Sequence, residues 1–385
     1  MDTSSPLTTS RIFEAYEHGL LSVRPKEQSR EPKERVAISA AGSALVSRAI
    51  ADDPSLAATY TWASNLTLVV SDGSAVHGLG DLGCHAVLPI LEAKCAFFKS
   101  VANLDAIPLA FTERNVDSIV DTLVRIRPSY GAVSIEDVSA PTCFELEQRL
   151  KETLSCPVIH NDQHGTAVAV TAALRNASRL LGRTFTGLRT VIVGAGAAGI
   201  ATARMLSSFG ICDLILVDSR GIINSDRPGL AGAKLDVSRN TNPRKLRGGL
   251  ADAIIGADVL IGLSSARIDR NLLRLMHPQP IILALSNPEP EVTPEDAARV
   301  GALYGSGRSE SRNCVSSLLA IPGILRGANE SRAREITGAM LHAAVAGLES
   351  ANSDSLSWDS LMPDLFDPKC CDHVSQAVAA AAATA

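Results

Sequence analysis

No run of apolar residues in this chain reaches the ~18 that a membrane-spanning helix needs. The opening stretch, "MDTSSPLTTSRIFEAYEHG", lacks a basic start followed by an apolar block, so it does not read as a secretory signal. There is no basic run either, and the net charge is −5, which argues against nucleic acid or an anionic membrane as the main partner. Eight cysteines are present, at positions 84, 95, 143, 156, 212, 314, 370 and 371, and none forms a C-x-x-C pair. They read as reduced thiols, mostly small buried apolar residues. Cys370, Cys371 and His373 are wrongly spaced for tetrahedral zinc and read as part of a loop. No repeat with a fixed period is visible. These absences leave a cytoplasmic globular protein. What is there is a chain of 385 residues, 46% hydrophobic and 20% charged. That is too long for one core, and two domains are expected.

Residues 1 to about 35 are polar, and "RPKEQSREPKER" reads as an exposed arm or connector. Beyond it, strand patterns alternate with helical ones. Leu66 to Val70 is a strand, followed by the Gly-rich "SDGSAVHGLGDLG". "AVLPILEAKCAFFKSVA" has helical period and opens near Pro89. "AIPLAF" is a strand, "VDSIVDTLVRIRP" an amphipathic helix and "GAVSIEDV" a strand. A second run of the same kind starts near residue 156, with the long helix "TAVAVTAALRNASRLLG" and later strands "ADVLIGLSS", "PIILALSNP" and "ALYGSG". The helix "ITGAMLHAAVAGLES" comes next, and the Ala-rich end "SQAVAAAAATA" is expected to fray. Such alternation predicts the α/β class, with parallel sheets covered on both faces. The expected domains are 1–158, an N-terminal α/β substrate and metal domain, and 159–385, a Rossmann-type doubly wound domain with a C-terminal helix.

Glu136 and Asp137 stand side by side where the strand "GAVSI" ends. Like charges repel, and a solvated turn is the bland reading. In an open α/β sheet, however, ligands bind at the C-terminal ends of the strands. "CPVIHNDQHGTAVAV" supplies Asp162 in a short polar segment between a strand and a long helix. Glu136, Asp137 and Asp162 would together make an oxygen-rich site for Mg²⁺ or Mn²⁺, with substrate oxygens completing the coordination.

"VIVGAGAAGIA" places Gly194, Gly196 and Gly199 in G-x-G-x-x-G spacing between a continuous apolar strand and a helix. The next strand, "LILVD", ends in Asp218. This context predicts a dinucleotide site: a tight turn at Gly194, close approach of pyrophosphate at Gly196, and helix–strand packing at Gly199. Helix N–H groups at Ala197 and Ala198 face the phosphates. Asp218, with Ser219 beside it, would accept bonds from the adenosine ribose, and Thr166 and Ser264 complete the expected cofactor set. A carboxylate at position 218 favours NAD over NADP by repelling a 2′-phosphate. Arg220, two residues on, would reverse this if it turned toward the ribose.

Taken in order, "SDGSAVHGLGDLG", "ILEAKCAFFK", "SIEDVSAPTCFELEQRL", "PVIHNDQHGTAVAV", "VIVGAGAAGIA", "ALSNPEPEVTPEDA", "GSGRSE" and "IPGILRGA" resemble the malic enzyme family, of the shorter bacterial kind. The resemblance runs from about residue 55 to 345. It implies metal-assisted oxidative decarboxylation of L-malate or a related 2-hydroxy acid, with reduction of NAD(P). It also implies that Lys94 is the base, that Asp81 lies near Lys94 and the metal, that Asn287 faces substrate and nicotinamide, and that the protein is a homodimer.

Three departures from the family pattern bear on the substrate pocket. Ser39 stands where the family has a tyrosine that protonates the enol product, and a hydroxyl is far less acidic than a phenol. Ser316 and Ser317 replace two asparagines that would contact substrate or cofactor. Asn161 replaces one of two aspartates before "QHG" and removes a negative charge beside the metal. An altered substrate or proton step is therefore expected. An oxidation without decarboxylation, or a catalytically weakened NAD-binding protein with a regulatory or biosynthetic role, are the other readings.

Overall fold

The computed structural model describes residues 8–24, 31–76 and 78–383. Two sheets organise the chain. The first has β1 (Leu66–Ser71), β2 (Asp105–Ala110), β3 (Ala132–Ile135) and β4 (Val158–His160), in the order β2-β1-β3-β4 and all parallel. The second has β5 (Thr190–Val193), β6 (Leu214–Asp218), β7 (Gly221–Ile222), β8 (Val259–Gly262), β9 (Ile281–Ala284) and β10 (Leu303–Ser306). Its order is β10-β9-β8-β5-β6-β7, parallel except for the β6–β7 hairpin. The chain leaves β5 toward β6 on one side and returns to β8 on the other, so the crevice between β5 and β8 is a topological switch point.

Strand alternation explains how two sheets share one core. Val69 and Ile192 turn to a common central cluster that also contains Leu91 and Phe98 of the helix Gly83–Ala102, Val168 of the helix Thr166–Leu180, and Ile324 of the helix Ile321–Glu330. Their strand neighbours Leu68 and Val70 pack on Ile119 and Leu146 of the outer helices Val116–Arg125 and Thr142–Thr153. Val191 and Val193 pack with Ile215, Leu260 and Ile282 on the far face of the second sheet. Period-2 side chains thus give each sheet two buried faces.

Four expectations change. The exposed arm runs on past residue 35 to Asp52 and carries helices at Thr9–Tyr16, Pro32–Ala37 and Ser43–Asp52, with no buried residue among the described side chains, while the part of the expected connector at 25–30 lies outside the described residues. Pro89 lies inside its helix rather than at its start. Cys370 and Cys371 sit buried in a helix, Pro368–Ala382, not in a loop. The Ala-rich end does not fray before Ala382, because Val374 and Val378 pack into the central core. Among the described residues no helix is long and apolar enough to cross a membrane.

Candidate active site

Register brings the predicted carboxylates together. Ile135 of β3 lies opposite His160 of β4. The residues that follow, Glu136-Asp137 and Asn161-Asp162, therefore leave adjacent parallel strands side by side. The Asp137 N–H donates to Asp162 Oδ2 at 3.1 Å. Asp137 has φ of 51°, a left-handed backbone that costs energy in a residue with a side chain. Glu136 is fully buried and Asp137 is 2% exposed. Ser134 Oγ donates to Glu136 Oε1 at 2.7 Å, and Asn161 Nδ2 donates to Oε2 at 2.7 Å.

Lys94, on the inner face of the Gly83–Ala102 helix, reaches the same cluster. Its Nζ is 2.5 Å from Glu136 Oε2 and 3.5 Å from Asp137 Oδ2. Burial alone would lower the lysine pKa, but Glu136, Asp137 and Asp162 together raise it above its ordinary value. The same burial pushes Glu136 and Asp162 up, against the pull of Lys94 and with like-charge crowding adding to the effect.

As the side chains stand, no group of three or more His, Cys, Asp or Glu among the described residues is arranged to hold a metal ion. The ammonium of Lys94 occupies the space between Glu136 and Asp137. The donor chemistry nevertheless fits a hard cation. Glu136 and Asp162, both with raised proton affinities, and Asp137 between them form an oxygen-rich set that a divalent ion would complete.

Behind the cluster stands a buried carboxylate that the sequence reading passed over. Glu147 takes His164 Nε2 and Lys151 Nζ on Oε1, each at 2.7 Å, and Gln163 Nε2 on Oε2 at 3.1 Å. It thereby ties the 160–164 segment, with Asp162 in its middle, to the Thr142–Thr153 helix. Its signal was "FELEQRL", a Glu at the inner position of an amphipathic helix. Removing one partner of a buried charge cluster costs about 3–5 kcal/mol. Glu147→Ala is expected to lower the free energy of urea unfolding by that order. Burial pushes the Glu147 carboxyl up, but His164 and Lys151 more than offset this and hold it well below the usual range. A depressed acid stabilises above its unfolded pKa and loses that contribution as pH falls through the folded one. This stability should fade below about pH 4.5, and Glu147→Gln should remove that part of the acid dependence. His160 is also fully buried, and burial pulls its imidazole down to about 4, so it is neutral at ordinary pH.

The turn after β5 has the predicted form. Gly194 has φ of 113°, and a Cβ there would lie 2.2 Å from the Leu263 carbonyl oxygen at the end of β8. Gly196 caps the helix Ala197–Ser208 and has open space beside it, so a ligand could reach the backbone and the first N–H groups of Ala197 and Ala198. A Cβ on Gly199 would lie 1.8 Å from the Gly194 carbonyl oxygen. Ser264 is held by its N–H, which donates to Glu291 Oε1 at 2.8 Å, and Glu291 Oε2 takes the Ser286 N–H at 3.2 Å. Glu291, buried and raised in pKa by that burial, fixes the loops after β8 and β9, a second role not read from the sequence.

Other predicted residues are scattered. Thr166 starts the helix Thr166–Leu180 directly after the Asn161–Gly165 turn. Ser317 reaches the cluster indirectly: its Cβ would lie 2.8 Å from a Cβ on Gly165, as would Asn161 Oδ1. Ser316 caps the turn Ser317–Leu319, taking the Leu318 N–H at 3.3 Å. Asn287 is exposed and donates to the Gly307 carbonyl at 3.3 Å, with its own carbonyl against Gly78 of the Gly-rich loop. No described bond joins Asp81 to Lys94: Arg114 grips both its oxygens at 2.6 Å, half-exposed. Ser39 Oγ donates to the Val36 carbonyl at 3.3 Å on the exposed arm, and no described bond joins it to Lys94 or the carboxylates. Asp218 takes bonds from Arg227 and Lys234 on its carboxylate, while Ser219 beside it is exposed.

A carboxylate–lysine cluster at the strand ends of one α/β sheet, beside a dinucleotide turn on another, defines a two-domain α/β dehydrogenase. Residues 163–385 match the family model for the malic enzyme NAD-binding domain, and residues 54–115 match that for the malic enzyme N-terminal domain. The chain belongs to the malic enzyme family, whose members are NAD(P)-dependent decarboxylating oxidoreductases. It is 41% identical to the bifunctional malic/malolactic enzyme of Bacillus subtilis over 368 residues, 94% of this chain and 90% of that protein. It is 40% identical to the NAD-dependent malic enzyme of Geobacillus stearothermophilus, over 89% of this chain and 72% of that one. The solved NAD-dependent malic enzyme of Thermotoga maritima superposes with a TM-score of 0.90 at 37% identity, covering 97% of this chain and 99% of that one.

Proposed function

We propose that this protein is a metal-dependent malic enzyme that oxidatively decarboxylates L-malate, or a closely related 2-hydroxy acid, to a 2-oxo acid and CO₂ with reduction of NAD(P). The observation that carries the reading is the meeting of Lys94 with Glu136, Asp137 and Asp162 at the strand ends, one helix start away from the dinucleotide fold. Glu136, Asp137 and Asp162 would hold Mg²⁺ or Mn²⁺, which supplies Lewis-acid stabilisation of developing negative charge on substrate oxygens. Lys94 would take the proton of the C2 hydroxyl as hydride leaves C2 for the nicotinamide. It must be neutral to do so; neutralising the three carboxylates would leave burial as the dominant influence and lower its pKa.

Loss of the distal carboxylate as CO₂ leaves an enolate that needs a proton on carbon. Ser39 lies on the exposed arm, bonded to Val36, and is a poor acid. Lys94, protonated by the first step, stands in the cluster and is assigned the return of that proton. Ser316 and Ser317 would leave room for a 2-hydroxy acid longer than malate. A weakened NAD-binding protein is the second reading, favoured by the position of Ser39. Two buried carboxylates against one buried lysine, with Asp162 beside them, weigh against it, since such a set is costly to keep without chemistry to perform.

The test is nicotinamide reduction with Mn²⁺ and L-malate, scored for pyruvate and CO₂ and repeated with a panel of 2-hydroxy acids. A dinucleotide that binds but is never reduced by any acid of the panel would sink the enzymatic assignment. The arm should also mediate a homodimer. Phe13, Val23, Val36 and Leu45 are 65–82% exposed on it, an apolar surface that a second copy would cover. Light scattering should give twice the chain mass, and half that mass after Phe13 and Leu45 are both changed to Ser.

A further inference from the structure

Two neutral side chains grip the buried carboxylate of Glu136, one at each oxygen. Ser134 Oγ donates to Oε1 at 2.7 Å, and Asn161 Nδ2 donates to Oε2 at 2.7 Å. Ser134 is fully buried on β3, which lies between β1 and β4, with Val69 and Ile159 as its register partners. Its hydroxyl therefore hangs from backbone held on both sides. Asn161 is 2% exposed in the turn after β4, and its backbone carbonyl accepts the Thr166 N–H that opens the next helix. Both donors are anchored to regular structure, so together they define where the carboxylate stands.

The amide of Asn161 has only one way round. Turned over, it would set Oδ1 against Glu136 Oε2, acceptor facing acceptor. As it stands, Oδ1 is buried and has no hydrogen-bond partner. A buried acceptor left unbonded destabilises the fold, so this side chain is placed for its donor alone. The third donor on Glu136 is of another kind. Lys94 Nζ shares Oε2 at 2.5 Å and carries a charge. A divalent cation approaching the carboxylates repels that ammonium. It does not repel a neutral hydroxyl or amide in that way, so these two bonds stay where the lysine gives way.

We propose that Ser134 and Asn161 are positioning residues that hold Glu136 ready for a divalent cation, each by a neutral hydrogen bond that outlasts the Lys94 ion pair. They act through Glu136 alone. The inference rests on the proposed metal-dependent function and names what sets one of its ligands in place. It gives Asn161 a part beyond the removal of a charge, since an aspartate there would carry no N–H for Glu136. It also gives a role to Ser134, a lone hydroxyl inside an otherwise apolar strand.

The experiment is calorimetric binding of Mn²⁺ to the full chain, with thermal melts and the Mn²⁺ dependence of malate oxidation measured in parallel. Ser134→Ala and Asn161→Ala should each bind Mn²⁺ about tenfold or more weakly, as loss of a group that orients a metal ligand does. Most of the loss should appear as a higher Mn²⁺ requirement, and a smaller part in kcat at saturation. Ser134→Thr keeps the hydroxyl and adds a methyl group to a packed site. It should retain wild-type Mn²⁺ affinity even where overpacking lowers its melting point, a split that a purely structural residue does not give. Asn161→Asp keeps the shape but turns an oxygen toward Glu136, and covers the case in which the alanine variant does not fold. Without metal it should melt below the wild type, and Mn²⁺ should close the gap. Wild-type Mn²⁺ affinity in either alanine variant, or a wild-type melting point in metal-free Asn161→Asp, would overturn the inference and leave the metal-dependent function standing. Failure of the wild type to bind Mn²⁺ would overturn both.

Discussion

Lys94→Ala should abolish turnover with malate while tightening the binding of Mn²⁺. The two effects have one cause. Lys94 is the base of the proposed reaction, and general acid–base catalysis contributes about 10²–10⁴-fold. A loss in kcat at the upper end of that range is expected, because the same amine also returns the proton to carbon. Yet Lys94 also lies 2.5 Å from Glu136 and 3.5 Å from Asp137, in competition with any cation for those oxygens. Removing it takes that competitor away. Without metal the variant leaves the fully buried Glu136 without its lysine partner, a change worth about 3–5 kcal/mol of lost stability. The pKa values of Glu136 and Asp162, already raised by burial, should then rise further. A raised carboxylate pKa stabilises below its titration and loses that contribution as pH rises through it, so the metal-free variant should unfold more easily at pH 8 than at pH 5. Saturating Mn²⁺ should restore the wild-type melting point. Calorimetry and thermal melts decide the matter: unchanged or weaker Mn²⁺ binding would mean that Lys94 and the metal do not share these ligands.

Much of this architecture was legible because it rests on local pattern. Apolar runs with period 2 or 3.6 marked the strands and inner helices, and the parallel register followed from their alternation. That register carried Glu136-Asp137 and Asp162 to one place, since adjacent parallel strands end together. What could not be read depended on where irregular chain runs. Asp81 and Arg114 are 33 residues apart and meet only because the Gly-rich loop turns outward. Arg227 and Lys234 return to Asp218 from a long connection after β7 that no periodicity describes. Glu147 and Glu291 stand among many acids in the sequence, and only burial against backbone N–H groups and side-chain donors shows them as ties between segments. The C-terminal helix was misread because alanine says nothing about the partner that Val374 and Val378 pack against. The helical arm was missed because its apolar residues face outward, where no core imposes a pattern.

Gly199→Ala and Gly196→Ala should separate folding from cofactor binding at the turn after β5. Both add one methyl group, yet they meet different surroundings. At Gly199 the new Cβ would lie 1.8 Å from the Gly194 carbonyl oxygen and 2.9 Å from its carbon. Backbone cannot yield as a side-chain tip can, so the Ala197–Ser208 helix must move off β5. Overpacking of this kind costs about 1–3 kcal/mol. The shift also misplaces the helix N-terminus that would receive the pyrophosphate, with each lost charge-assisted bond worth about 1.5–3 kcal/mol. Gly199→Ala is therefore expected to melt lower and to bind 5′-ADP about tenfold to a hundredfold more weakly. At Gly196 no atom lies within 4 Å of the added Cβ. That variant should melt like the wild type and even gain slightly from a less flexible unfolded chain. It should nonetheless lose dinucleotide binding to a similar degree, because the methyl group fills the space through which the pyrophosphate reaches the backbone. Wild-type cofactor affinity in Gly196→Ala would mean that the phosphates do not pass over this turn.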